Sequence, residues 1–193
     1  MKFIVFTVLT IALNCFIHLS HAATQEKPDK QIRALLKKTI HASKSFGDRF
    51  DAEVWYVAMS KRLEKFIPDA GRRLNWLAMI HREAYRAGIK PEIVLAVIEV
   101  ESHFDRFAIS TAGAQGLMQV MPFWKKELGN EHDNLINAEV NIRYGTTILS
   151  TYLKYEKGNL ARALARYNGS VGKTWYPERV FRAWNNNWFY KNH

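Results

Sequence analysis

The sequence predicts one mainly helical domain, interrupted once by a small irregular or β-like flap. Apolar residues recur at helical spacing in several stretches, no stretch shows the strict alternation of a half-buried strand, and no internal repeat appears. A chain of 193 residues with 48% apolar and 13% aromatic content buries one good core but is short for two full catalytic domains.

Met1-Lys2-Phe3, followed by an apolar run to Leu19, reads as a secretory signal covering residues 1–22. Ser20-His21-Ala22 puts small residues where a signal peptidase reads, so cleavage is expected after Ala22 or Ala23 and the mature chain is expected to be exported. An uncleaved anchor is the alternative, since the run only just approaches the roughly 20 residues that a spanning helix needs. No stable membrane anchor is expected. Cys15, the only cysteine, follows Asn14, which fits a lipidation site poorly. Losing the signal removes that thiol, so packing alone must stabilise the mature chain.

The net charge is +10, of which the signal removes only Lys2. An exported basic chain seeks anionic polymers, and a carboxylate-bearing wall or a membrane surface is more accessible to it than nucleic acid. A merely solvated basic face accounts for the charge equally well. No nucleic-acid motif is present and no such partner is expected.

Residues 23–70 read as an N-terminal arm and a helix preceding a domain over 71–193. Within the arm, Ile32, Leu35, Leu36 and Ile40 could line a short helix face. Phe50, Val54, Val57, Leu63 and Phe66 then space as a helix that Pro68 ends. From Arg72 to Ala87 the set Leu74, Leu77, Ala78, His81, Ala84 and Tyr85 predicts a second helix, stopped by Gly88. Pro91 suits the first turn of a third, running to Ser102. His103 to Gly116 is rich in Ser, Thr, Ala and Gly, the composition of short extended pieces or a small hairpin. Asn137 is placed to cap a long helix through Tyr155, ended by Gly158, and two more are expected over Leu160–Tyr167 and Glu178–Trp188.

On the Pro91–Ser102 helix, steps of about 100° per residue put Val94, Val97 and Glu101 on one stripe. Glu92 and Glu99 stack on the opposite side, so Glu101 is expected to face the protein and Glu99 to face water. A carboxyl at the end of an apolar stripe loses hydration, which raises its pKa toward the range a general acid needs at neutral pH. By position alone, an inward Glu held by a core hydrogen bond is the plainer alternative. The residues downstream shift that balance. Gly113-Ala114-Gln115-Gly116-Leu117-Met118-Gln119-Val120-Met121-Pro122 follows, in which two glycines permit close backbone approach to a ligand and Gln119 offers both donor and acceptor.

Taken together, Glu101-Ser102, the Gly116 to Gln119 block and the Tyr167-Asn168 pair, with Ser110, Gly113 and Ala114 between, closely resemble the catalytic domain of soluble lytic transglycosylases, in the lysozyme-like α+β superfamily with goose-type lysozymes. The likeness covers about Leu74 to Trp184. It implies an exported, periplasmic enzyme that cuts the bond between N-acetylmuramic acid and N-acetylglucosamine in peptidoglycan. Glu101 would protonate the glycosidic oxygen and then take a proton from the muramic C6 hydroxyl, giving a 1,6-anhydro sugar. Retaining glycosidases keep a second carboxylate nearby, whereas this family uses the substrate's own acetamido group. By the same likeness Ser110, Gly113, Gln119 and the backbone at Met121 would contact substrate, and Tyr167 with Asn168 would hold Glu101 and the sugar. No cofactor is implied. Small exported relatives often serve a wall-spanning secretion or conjugation machine, which the resemblance adds as a partner beside the glycan strands. The family's Tyr-Asn-Ala-Gly becomes Tyr-Asn followed by Gly169-Ser170 here, a small-to-small departure that bears on loop shape.

Other residues have plainer accounts. Asp105 and Glu127 suit surface positions, and Glu139 complements the dipole at a helix start. Seven histidines show no pair at metal-ligand spacing, and no metal is expected. Trp175, Tyr176, Trp184, Trp188, Phe189 and Tyr190 make the C-terminal end aromatic, mostly for the core. Trp184 and Trp188 lie four apart, so one should pack inward and the more exposed ring is the better sugar contact. Competing functions are a muramidase using water, a catalytically silent wall-binding protein and an exported nucleic-acid binder.

Overall fold

The computed structural model describes residues 49–191. The expected signal and the short helix face in the arm lie outside them. Seven α-helices follow in order: α1 (Arg49–Leu63), α2 (Ala70–Ala87), α3 (Pro91–Ser102), α4 (Trp124–Leu128), α5 (Ala138–Tyr155), α6 (Leu160–Asn168) and α7 (Trp175–Ala183), and a π-helical turn spans Trp184–Trp188. Among the described residues no helix is long and apolar enough to cross a membrane.

α3 is the axis of the core. Glu92 through Ile98 are all buried, so this helix is enclosed on every side instead of presenting one apolar stripe. Pro91 occupies the first turn, where its missing N–H costs no hydrogen bond. Each of Leu95, Val97 and Ile98, removed wholly from water, contributes about 1.5–3 kcal/mol to burial. α2, α7 and the π-turn pack directly against α3, while α5 lies across α2 and α6.

Capping residues set the helix starts. The side chains of Asp69, Asn137 and Asn159 accept from the backbone N–H of Arg72, Val140 and Arg162, satisfying donors that the first turn leaves open. Gly88, at φ 68°, closes α2 in the left-handed conformation.

Two faces differ from the helical-spacing expectation. In α1 the buried set is Ala52, Trp55, Tyr56, Met59 and Leu63, and Val54 is exposed. In α2 Tyr85 points outward, with Leu74, Leu77 and Ala84 inward as expected. Aliphatic and aromatic residues flank the buried stripe on both helices, so composition left the phase of the face open. The C-terminal helix also starts and stops earlier than expected, because α7 ends at Ala183 and the chain widens into the π-turn.

Between α3 and α4 lies the flap. Ile109 pairs with Gln115 and Gln115 with Val120, each as an isolated antiparallel bridge, and no longer strand occurs among the described residues. Short pairing of this kind is what a Ser-, Gly- and Ala-rich stretch can support.

Candidate active site

Glu101 sits in the last turn of α3, half-buried where the core helix meets the flap. Removal from water disfavours its charged form and lifts its pKa from 4.5 to about 7, against weaker opposing pulls from a Tyr176 hydrogen bond and the Arg179 guanidinium. The Tyr176 hydroxyl donates to Glu101 Oε1 at 2.5 Å. Tyr176 is buried in the first turn of α7, and its burial, then the neighbouring Glu101, push its own ionisation well above the usual range. It therefore stays a donor at any physiological pH.

Ser102 turns the other way. Its Oγ donates to the Leu117 carbonyl at 2.8 Å, tying α3 to the block Gly116 to Gln119. Asn141, buried on α5, accepts from Met118 N–H at 2.7 Å and donates to the carbonyls of Gln115 and Leu135 at 2.8 Å each. Tyr167 of α6 donates to the Met118 carbonyl at 2.6 Å. Three helices thus hold this one loop from three directions. Close packing completes the arrangement: a Cβ on Gly145 would lie 2.4 Å from Met118 Sδ.

The flap carries the other residues singled out from the sequence. Ser110 Oγ accepts from Ala114 N–H at 3.0 Å, and Gly113 sits at φ 87°, where a side chain is disfavoured. Gln119 adopts φ 48° and donates its amide N–H groups to the Ala108 and Gly116 carbonyls at 3.1 and 3.0 Å. The Met121 carbonyl accepts from Trp124 N–H at the start of α4. Asn168 is exposed at the end of α6, beside Gly169 at φ 77°. Ser170, which replaces the family's Gly, is buried, and its Oγ has no hydrogen-bond partner among the described residues.

A family model described as "Transglycosylase SLT domain" matches residues 78–186, more than half of the chain. This chain belongs to the transglycosylase SLT family. The chain is 38% identical over 88 residues to the membrane-bound lytic murein transglycosylase C of Actinobacillus pleuropneumoniae serotype 5b, covering 41% of this chain and 24% of that relative. With the protein of the same name from Yersinia pestis (strain Pestoides F) it shares 28% over 130 residues, 59% of this chain and 34% of that one. The chain therefore spans about a quarter to a third of the length of these relatives. A solved structure of an inactive mutant of the lytic transglycosylase Slt from Pseudomonas aeruginosa aligns with 80% of this chain and 31% of its own, at 23% identity and a TM-score of 0.45.

Within the SLT domain, the hydrogen bond to the candidate acid comes from Tyr176, which sequence reasoning left among core aromatics. Nothing in its neighbours marks it out, because a buried ring with a polar tip fits either role. Burial, and then the neighbouring Glu101, push the Tyr167 ionisation well above the usual range, while its hydroxyl serves the loop. Among the described residues no second carboxylate figures in the surroundings that shift Glu101. Asp105 and Glu127 are exposed, and Glu139, also exposed, pairs with Arg82 at 2.8 Å. No group of three His, Cys, Asp or Glu among the described residues is arranged to hold a metal.

Glu99 departs from expectation. Helical spacing put it in water, yet its carboxylate accepts from Asn187 Nδ2 at 2.7 Å and from Trp188 Nε1 at 2.6 Å. Glu92 on the same side is buried and accepts from Trp55 Nε1 at 2.7 Å. The chain's end and α1 fold back over that face, a long-range contact invisible in the local period. Of the paired tryptophans, Trp188 is the one packed fully inward, and Trp184 is half-buried against Phe181 and Phe189.

Proposed function

We propose that this protein is a peptidoglycan lytic transglycosylase, with Glu101 as general acid and then general base. The observation that carries this reading is the Glu101 carboxyl, withdrawn from water at the end of α3 and held by the Tyr176 hydroxyl, with no second carboxylate among the described residues acting on it. Because Tyr176 donates to Oε1, the carboxyl proton belongs on Oε2, free to move to a glycosidic oxygen. As that proton leaves, the bond from muramic C1 to the bridging oxygen breaks and the substrate's acetamido group stabilises the cationic centre. The C6 oxygen then bonds C1 while its proton returns to Glu101, so the enzyme is regenerated and no water is consumed.

Ser110, Gly113, the free carbonyl end of Gln119 and the Met121 backbone form the sugar-facing rim in this proposal. Tyr167 and Asn168 hold the rim and the acid in register. Division into a signal (1–22), an arm with helix (23–70) and the enzymatic domain (71–193), together with export to the periplasm, belongs to the same proposal, as does service to a wall-spanning secretion or conjugation machine.

Mass spectrometry of the soluble products from purified peptidoglycan tests the chemistry. Products ending in 1,6-anhydromuramic acid are expected. Reducing-end products would make the protein a water-using muramidase, and release of nothing would leave a wall binder.

The pH profile supplies a second check. Since the acid form is the reactive one, kcat/KM is expected to hold below about pH 7 and to fall above it. Tyr176→Phe removes a hydrogen bond that favours the carboxylate, so the alkaline limb should move to higher pH. A limb that stays fixed or moves down in the variant would refute the assigned role of Tyr176.

A further inference from the structure

The C-terminal π-turn reaches α3 at two points, neither of them at Glu101 itself. Its Asn187 and Trp188 donate three hydrogen bonds to the Glu99 carboxylate, at 2.7, 3.0 and 2.6 Å. Glu99 lies two residues before Glu101, on the far side of α3. The second contact is at the helix end. His103 and Phe104 are consecutive non-glycine residues at φ 49° and 63°, a left-handed pair that ordinary side chains resist. Phe104 is held there by burial between Phe66, with ring centroids 4.8 Å apart, and Trp188, at 5.5 Å. Local sequence does not favour that turn, so the packed rings must impose it.

The turn itself is tied down from the end of α1 and the residues just after it. Arg62 donates to the Phe189 carbonyl at 2.8 Å and Lys65 to Asn187 Oδ1 at 3.2 Å. The widened turn closes through Phe189 N–H to the Trp184 carbonyl, which brings Asn187 and Trp188 together on the side facing Glu99. The family match ends at residue 186, so Asn187 and Trp188, which supply the donors to Glu99, lie just beyond it.

We infer that Glu99, Asn187 and Trp188 form a latch that positions Glu101, fixing the last turn of α3 so that the acid stays at its depth and in register with Tyr176. Glu99 is a positioning residue: it acts through the helix and touches no substrate. A loosened latch lets the end of α3 fray and admits water to Glu101, and the burial lost there, the largest influence on this carboxyl, outweighs any weakening of the opposing Tyr176 hydrogen bond. The groups facing Glu101 are Tyr176 and Arg179 from α7 and Tyr167 from α6, and none of them bonds the latch.

The inference rests on Glu101 being the acid, and its test has a readout that needs no substrate. Trp188→Phe keeps an aromatic ring beside Phe104 but removes the indole donor together with some buried volume. Glu99→Ala removes the acceptor, while Glu99→Gln keeps an acceptor oxygen for Trp188. NMR titration of the Glu101 side-chain carboxyl is expected to give a pKa near 7 in the native protein and a lower one in Trp188→Phe and Glu99→Ala, with Glu99→Gln returning most of the way. On peptidoglycan, kcat should fall on the order of tenfold at little change in KM, with the alkaline limb displaced to lower pH. An unmoved titration in Trp188→Phe overturns the latch, even if melting temperature falls, because stability loss alone leaves Glu101 where it was. Native protein inactive on peptidoglycan but with the titration shifted as expected would overturn the proposed substrate and keep the latch.

Discussion

Glu101→Gln is expected to lower product release from peptidoglycan by about 10²–10⁴-fold, the range that a lost general acid–base group costs. The substitution keeps the shape of the side chain and an oxygen to accept from Tyr176, so folding and glycan binding should survive it. A second, independent consequence follows from burial. The folded protein holds this carboxyl protonated to about pH 7, whereas the unfolded chain releases the proton near 4.5. A carboxyl raised in this way supports stability fully below pH 4.5, and the support is lost as pH rises through 7. Gln stays neutral throughout. The variant should therefore match the native protein at pH 4 and exceed it at pH 8, by up to about 3 kcal/mol. Urea unfolding at the two pH values measures the difference directly. An inactive variant with no stability gain at pH 8 would separate catalysis from burial and remove the physical ground for a neutral-pH acid. An active variant would dismiss Glu101 altogether.

How far the sequence reached depends on whether a feature is local. Helix ends were legible because single residues set them: Pro91 starts α3, Gly88 stops α2 and Asn137 caps α5. The inward face of Glu101 followed from its spacing behind Val94 and Val97. Side chains that meet distant partners were not legible. Glu99 reads as solvated until residues 187 and 188 return to cover it, and Tyr176 reads as core until α7 docks along α3. Ser102, known only as the neighbour of the proposed acid, proves to be a strut to Leu117. The same holds for Asn141, one unremarkable polar residue in a long helix, which turns out to hold the loop beside the acid.

That hub makes Gly116→Ala the most damaging small change outside the acid itself. Gly116 adopts φ 74°, and a Cβ there would stand 2.5 Å from both Asn141 Nδ2 and the Leu135 carbonyl oxygen. The backbone oxygen cannot yield cheaply, and Asn141 can move only by abandoning its bonds to Gln115, Leu135 and Met118. A left-handed alanine costs about 1–2 kcal/mol and each buried group left unpaired about 1–3, so a loss of about 3–5 kcal/mol is expected. Gly113→Ala is the control: it shares the positive φ, at 87°, but its Cβ meets nothing within 4 Å. Only the conformational cost applies there, about 1–2 kcal/mol. Urea unfolding of the two variants isolates the hub, since their difference reports contacts and not backbone preference. Equal losses would mean that Asn141 does not hold the loop. A large gap, with glycan cleavage lost in Gly116→Ala at temperatures where it stays folded, would show that the block from Gly116 to Gln119 must sit against Asn141 for Glu101 to meet its substrate.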